Sequence, residues 1–170
     1  AYNYVEIYKR IDNGSLTSLC FSPDGDLLAT GGEDSVAKLW DVANGSVIAR
    51  LRHDDSINGL AFSSDGEYIA SASNDHTAKV WKLSGKNDIS LFSNFSFYCS
   101  PDSVTFSPDC IYLAVTCSED NVTHVFEAPN GRWSPIGSHP IWNLTHVDRV
   151  NAVAFSPDSR SLATASTDMN

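Results

Sequence analysis

The sequence predicts an all-β protein, a radial or stacked array of short strands, and three observations carry that expectation. The string Leu19-Cys20-Phe21-Ser22-Pro23-Asp24-Gly25 returns around Phe62, Phe106 and Phe155, at spacings of 41, 44 and 49 residues. A second string, Leu28-Ala29-Thr30-Gly31-Gly32-Glu33-Asp34, follows the first and recurs as Ile69 to Asp75, Ala114 to Asp120 and Leu162 to Asp168. Finally, Gly, Pro, Ser or Asp interrupts every apolar periodicity within about ten residues, so no window supports an amphipathic helix.

The elements of one unit follow in order. A β-rich apolar stretch precedes each S-P-D, and S-P-D-G carries type I turn chemistry, with Pro early and Gly late. The L-A-T/S stretch is a second strand, closed by an Asp turn. Ala37-Lys38-Leu39-Trp40-Asp41 alternates as a third strand and returns as Ala78 to Lys82 and, altered, as Thr123 to Glu127. An N-G or S-G pair then opens a fourth, such as Ser46 to Leu51. Regular short strands at this period define a radial or stacked all-β array.

Composition narrows the function. The formal charge is −10 and the pI is near 4.6, with no Lys/Arg cluster. Direct nucleic-acid binding and docking on an anionic membrane both need cationic surface, so neither is expected. No run of about 18 apolar residues marks a membrane-spanning helix. Cys20, Cys99, Cys110 and Cys117 form no C-x-x-C pair and no Cys/His metal spacing. Cys20, Cys110 and Cys117 lie in or beside apolar runs, where a reduced thiol packs as a small hydrophobe, and a reducing compartment, cytoplasm or nucleus, is expected.

The combination F-S-P-D-G, L-A-T-G, a turn Asp and W-D six residues later resembles the WD40 β-propeller repeat. The resemblance covers nearly the whole chain and implies four-stranded antiparallel blades. The array is then partial and open, about three and a half blades: repeats at 12–51, 52–93 and 94–142, and an incomplete one at 143–170. Residues 1–11, through Tyr4 to Tyr8, are expected to be the outer strand of a preceding blade. The rest of the ring would come from further chain or from another chain.

The family's signature is a hydrogen-bonded Trp, Ser/Thr, His and Asp within a blade. The resemblance assigns His53, Ser71, Asp75 and Trp81 as a complete set in the second repeat. The first carries Thr30, Asp34 and Trp40, with Asp12 for His. The third carries Thr116 and Asp120, with Phe126 for Trp and Phe97 for His. The fourth carries His146, Thr164 and Asp168. On this basis Trp81→Ala is expected to be costly, and loss of Phe126 milder.

The same resemblance assigns a partner-binding surface, by position, to Ser15, Thr17 and Glu33, then Ser56, Asn58 and Asn74. The later repeats contribute Ser100, Asp102 and Glu119, and Arg149, Asn151 and Thr167. The set is polar and mildly acidic, and a basic or hydroxyl-rich peptide is the complementary ligand. Two irregular connections, Asp88 to Tyr98 and Ala128 to Trp142, are rich in aromatics. Trp142 and Phe95 are expected to be exposed anchors, whereas Trp133 and Phe92 are expected to pack between blades.

Other chemistry finds little footing. His53, Asp75 and Ser71 mimic a hydrolase triad, but no G-x-S-x-G elbow accompanies them, and the repeat explains them structurally. Asp24/Asp26 and Asp54/Asp55 fall at turns. His76, His124 and His139 lack zinc spacing. Gly31-Gly32 lacks the Lys-Ser/Thr of a phosphate loop. No catalytic, metal or cofactor residue is assigned. The function expected is a non-catalytic protein–protein scaffold or adaptor. The alternative is a sensor or regulatory region of a larger enzyme or signalling protein whose catalytic domain lies elsewhere.

Overall fold

The computed structural model describes residues 14–85, 88–128, 133 and 139–168. The outer strand expected at Tyr4 to Tyr8 lies outside the described residues. Three four-stranded antiparallel sheets and one two-stranded sheet follow one another along the chain. Blade 1 holds β1 (Leu16–Phe21), β2 (Leu27–Gly32), β3 (Val36–Asp41) and β4 (Val47–Arg52). Blade 2 holds β5 (Ile57–Phe62), β6 (Tyr68–Ser73), β7 (Thr77–Gly85) and β8 (Asp88–Ser96). Blade 3 holds β9 (Ser103–Phe106), β10 (Tyr112–Cys117), β11 (Val122–Glu127) and β12 (Trp142–Thr145). The fourth sheet pairs β13 (Val150–Phe155) with β14 (Leu162–Ser166). The described residues contain no helix, and β1, β5, β9 and β13 lie side by side as the innermost strands of an open propeller.

Each S-x-D turn, three with Pro and one with Ser64 at the middle position, is built from the same atoms. The hydroxyls of Ser22, Ser63, Ser107 and Ser156 donate to the carboxylates of Asp24, Asp65, Asp109 and Asp158 at 2.5–2.6 Å. The same carboxylates accept the N–H of Asp26, Glu67, Ile111 and Arg160. The next position is left-handed in all four turns: φ is 78° at Gly25, 72° at Gly66, 61° at Cys110 and 59° at Ser159. Glycine takes that conformation without cost, whereas a Cβ there crowds the carbonyl.

The blades bury their faces against one another. One core, between blades 1 and 2, contains Leu39, Leu51, Ile57, Ile69 and Trp81. The other, between blades 2 and 3, contains Val80, Phe95, Leu113, Phe126 and Trp133. Small residues on the central strands, Ala29, Ala70, Ala72 and Ala114, are fully buried. They let neighbouring sheets approach closely while larger side chains interdigitate around them.

One expected connection is a strand. Asp88–Ser96 is β8, the outer strand of blade 2, and its register with β7 jumps at Phe92. That bulge breaks the strict alternation by which a strand is recognised. Likewise Trp142, placed at the end of a loop by its sequence, opens β12 and pairs with Val125.

Gly66→Ala is expected to destabilise the chain by about 1–2 kcal/mol, through backbone strain alone. A Cβ at Gly66 meets nothing nearer than 3.8 Å, so urea midpoints should show the loss without a packing defect. An unchanged midpoint would contradict the left-handed assignment.

Candidate functional site

In blade 2 a line of hydrogen bonds runs from the outer strands to the turn. Trp81 Nε1–H donates to Ser71 Oγ at 3.0 Å, and Ser71 Oγ lies 2.7 Å from His53 Nε2. With its oxygen accepting from the indole, the Ser71 hydroxyl donates to His53, which leaves Nδ1–H to donate to Asp75 Oδ2 at 2.8 Å. Asp75 also accepts the N–H groups of Asp54 and Thr77 and the Thr77 hydroxyl. Burial pushes the His53 pKa down, against the pull of Asp75, so the imidazole is held neutral. Burial by itself would raise the Asp75 pKa, but the hydrogen bonds from Thr77, Asp54 and His53 outweigh it and hold the carboxyl at about 2.

The order Ser71–His53–Asp75 is that of a hydrolytic triad, yet its geometry serves packing. Ser71 is 0% exposed, and its oxygen is occupied by the indole on one side and the imidazole on the other. No acyl carbonyl can approach Oγ, which nucleophilic attack requires.

The other blades carry parts of this line. In blade 1, Trp40 Nε1–H donates to Thr30 Oγ1 at 2.9 Å, and Asp34 pairs with Lys38 at 2.9 Å. In the fourth sheet, His146 meets Thr164 Oγ1 at 2.8 Å and Asp168 Oδ2 at 3.2 Å. Blade 3 is held differently. Thr116 is buried and Asp120 accepts only at its turn, from the N–H of Val122, among the bonds resolved. Phe97 and Phe126, at the His and Trp positions, pack ring to ring at 6.0 Å, and Phe126 stacks on Phe95 at 4.3 Å. Phe126 is 2% exposed at the centre of that cluster, a packing role that the missing hydrogen bonds did not suggest.

Cys117 is not a free thiol. It is joined to Cys99, tying the segment before β9 to the end of β10. The two residues are 18 apart in sequence, and only the fold brings their Cα atoms to 6.0 Å. Cys20 stays reduced, and burial pushes its pKa up to about 12, which leaves it inert at neutral pH.

The positions assigned to partner binding gather at one end of the blades. Backbone hydrogen bonds join Glu33 to Ser15, Asn74 to Ser56 and Thr167 to Arg149, and Ser100 N–H points at Glu119 Oε2 at 3.4 Å. Glu33, Asn74, Glu119, Arg149 and Thr167 are exposed on that rim. Thr17, Asn58 and Asn151 are the bulged residues of β1, β5 and β13, where the register skips one residue. The bulge turns two of them across the seam. Thr17 Oγ1 donates to the Ile57 carbonyl of blade 2, and Asn58 Nδ2 donates to the Pro101 carbonyl of blade 3 at 2.9 Å. Gly32 sits opposite the first bulge, where a Cβ would collide with the Ser15 carbonyl oxygen. Asp102 Oδ2 accepts the Ser118 N–H at 2.6 Å within its own blade.

The aromatic anchors divide. Phe95 is 4% exposed and belongs to the core, because its position on β8 turns it toward Phe126; it is not a surface anchor. Trp142 is 55% exposed and flanks a groove between blade 3 and the fourth sheet, with Tyr112, Leu144, Phe155 and Arg160. Trp133 is buried against Phe106, and Phe92 is half-buried with its ring against Tyr68.

Repeated four-stranded blades with a Trp–Ser/Thr–His–Asp line define a repeat protein of the propeller class. The chain belongs to the WD domain, G-beta repeat family, which matches residues 7–41, 45–82, 95–127 and 138–170. It is 30% identical to Pre-mRNA-processing factor 19 homolog 2 of Arabidopsis thaliana over 161 residues, 93% of this chain and 29% of that protein. It is 47% identical to small ribosomal subunit protein RACK1 of Drosophila melanogaster over 45 residues, 26% of this chain and 14% of that one. It is 44% identical to the general transcriptional corepressor TUP1 of Saccharomyces cerevisiae over 43 residues, 25% of this chain and 6% of that one. The chain thus spans less than a third of the length of these relatives.

Two outcomes follow from the buried lines. Trp81→Ala and Phe126→Ala should each cost about 3–5 kcal/mol in chemical denaturation, one by cavity and lost hydrogen bond, the other by cavity alone. A Phe126 variant close to wild type would show that the aromatic cluster adds no stability. The second concerns pH. His53, neutral when folded, withdraws stability as pH falls below about 6.5, where the unfolded imidazole takes up a proton first. Asp75 contributes about 2 kcal/mol that is complete above its unfolded value of 3.8 and disappears as pH falls toward about 2. Calorimetry across pH 8 to 3 should show the upper limb flattened in His53→Gln; an identical limb would place the titration elsewhere.

Proposed function

We propose that this chain is a non-catalytic protein–protein interaction scaffold or adaptor. The observation that supports the reading most directly is the rim at one end of the blades. There, four repeats present polar side chains from matching positions: Ser15 and Glu33, Ser56 and Asn74, Ser100 and Glu119, and Arg149 and Thr167. Strands hold them at fixed spacing, which preorganises a surface for a peptide or a folded partner. Thr17 and Asn58 lend the rim stiffness by bridging to the next blade, and Asn151 and Asp102 complete the set.

The partner we propose is a protein segment that is basic or hydroxyl-rich. Glu33, Asp102 and Glu119 outnumber Arg149 on this rim, and the chain as a whole carries −10. Complementary charge speeds encounter and fixes register more than it deepens affinity. Trp142 is the apolar anchor, since an exposed indole beside Arg160 offers both area and a charged neighbour. Ribosomal, pre-mRNA-processing and transcriptional relatives support a place in the cytoplasm or nucleus.

Fluorescence anisotropy with a labelled Lys/Arg-rich peptide provides the test. Binding should weaken with added salt and fall by about tenfold or more in the double variant Glu33→Lys, Glu119→Lys, an electrostatic loss of about 1.4 kcal/mol. Trp142→Ala should weaken capture of protein partners without moving the melting temperature. Salt-independent binding that survives the double variant would remove the rim from the site.

A further inference from the structure

Blade 3 lacks the His and Trp of the hydrogen-bonded line, and in the same place it assembles a set of metal-ligand atoms. Sγ of Cys99 and Cys117, a carboxylate oxygen of Asp120 and a ring nitrogen of His124 all lie within 4.8 Å of one another. The hairpin register makes the grouping. Cys117 pairs with Val122 across the β10–β11 turn, so His124, two residues on, shares its face of the sheet. Asp120 is the turn residue between them, and Cys99 reaches in from the segment before β9.

His124 is prepared as a ligand in a way that sheet packing does not explain. Its Nδ1 lies 2.8 Å from Asn143 Oδ1, an acceptor, so Nδ1 carries the proton and Nε2 keeps its lone pair. That Nε2 is buried with no hydrogen-bond partner, 3.6 Å from Asp120 Oδ2. A buried acceptor left without a donor costs stability unless something occupies it. An imidazole that donates one N–H to a neighbouring oxygen and aims the other nitrogen into a cysteine pair has the arrangement of a metal ligand with its orienting partner.

We propose that the reduced form of this cluster binds zinc through Cys99, Cys117, His124 and Asp120. Two thiolates and an imidazole suit zinc over magnesium or calcium, and four ligands complete a tetrahedron. Zinc–ligand bonds of about 2.0–2.3 Å put tetrahedral ligand atoms roughly 3.3–3.8 Å apart, a contraction of about 1 Å from the widest separation here. Cys99 and Cys117 are 2% and 0% exposed, and the Asp120 carboxylate sits at the rim, giving a shielded site with one solvent-facing ligand.

The disulfide and the zinc site are alternatives built on the same sulfurs. Two molecules of a small thiol open the Cys99–Cys117 bond: they supply two electrons and two protons, the protein gains two S–H groups, and the small thiol leaves as its own disulfide. Zinc capture then releases those two protons to water as the thiolates bind. Either state clamps the segment before β9 to the β10–β11 hairpin, where blade 2 uses its indole and imidazole. In a reducing compartment the zinc form is the one populated.

Cobalt(II), a spectroscopic stand-in for zinc, tests this on the 170-residue chain. Reduction is verified by mass after thiol alkylation, and the chain is stripped with chelator. The reduced chain should develop the visible bands of tetrahedral cobalt with thiolate charge transfer, lost on adding zinc; the oxidised chain should not. Cys99→Ser and His124→Ala should abolish the bands. Asn143→Ala, an exposed change that leaves every ligand in place, should weaken zinc affinity by about 10–100-fold in a chelator competition. No tetrahedral spectrum from the reduced wild type overturns the proposal. So does unchanged affinity in both His124→Ala and Asn143→Ala, which would reduce the site to two nonspecific thiols.

Discussion

The structure depends on one constraint: a four-stranded blade has two flat faces, and both must be covered by neighbouring sheets. A single sheet of this size cannot shelter the alanines, valines and leucines of its central strands. The sequence meets the constraint by repetition. Each blade repeats the same small residues on its second strand and the same Phe near the end of its first, so every seam is packed by similar parts. Leu39, Ile69 and Trp81 in one seam have counterparts in Val80, Leu113 and Phe126 in the next. Where a face meets no described sheet, as along β1, the apolar side chains Leu19 and Phe21 are more than half exposed.

Repetition of packing leaves each blade free to tie its own strands in its own way. Blade 2 runs a hydrogen-bonded line through Trp81, Ser71, His53 and Asp75, each polar atom satisfied in a dry interior. Blade 3 gives up that line, surrounds Phe126 with Phe95 and Phe97, and joins Cys99 to Cys117. Both solutions link the segment entering the first strand to the turn between the second and third. The third blade's choice brings reactive groups to a place where the second blade has inert ones.

The polar rim follows from the same construction. Bulges at Thr17, Asn58 and Asn151 fall at one recurring place, and a bulge redirects the side chain it carries. Two of those side chains grip the next blade, so positions that look like free ligands in a single repeat act as stitches in the array. What faces solvent is the set next to them, from Glu33 round to Arg149.

Much of this was legible in the sequence. The Phe spacing, the S-P-D turns and the paired Asp turns determine the strand order and the four-stranded meander, because turn geometry and alternation are local properties. His53, Ser71, Asp75 and Trp81 are located through the resemblance to the WD40 repeat, which supplies their offsets from Phe62. Decided only by the tertiary structure were the burial of Phe95, the bridging of Thr17 and Asn58 and the meeting of Cys99 with Cys117, Asp120 and His124. The bulge at Phe92 hid β8 by breaking its alternation. The other placements depend on which sheet stands opposite, and a spacing of 18 residues between two cysteines carries no trace of that. A repeat specifies its own strands through neighbours in the chain; what its side chains meet is specified by neighbours in space.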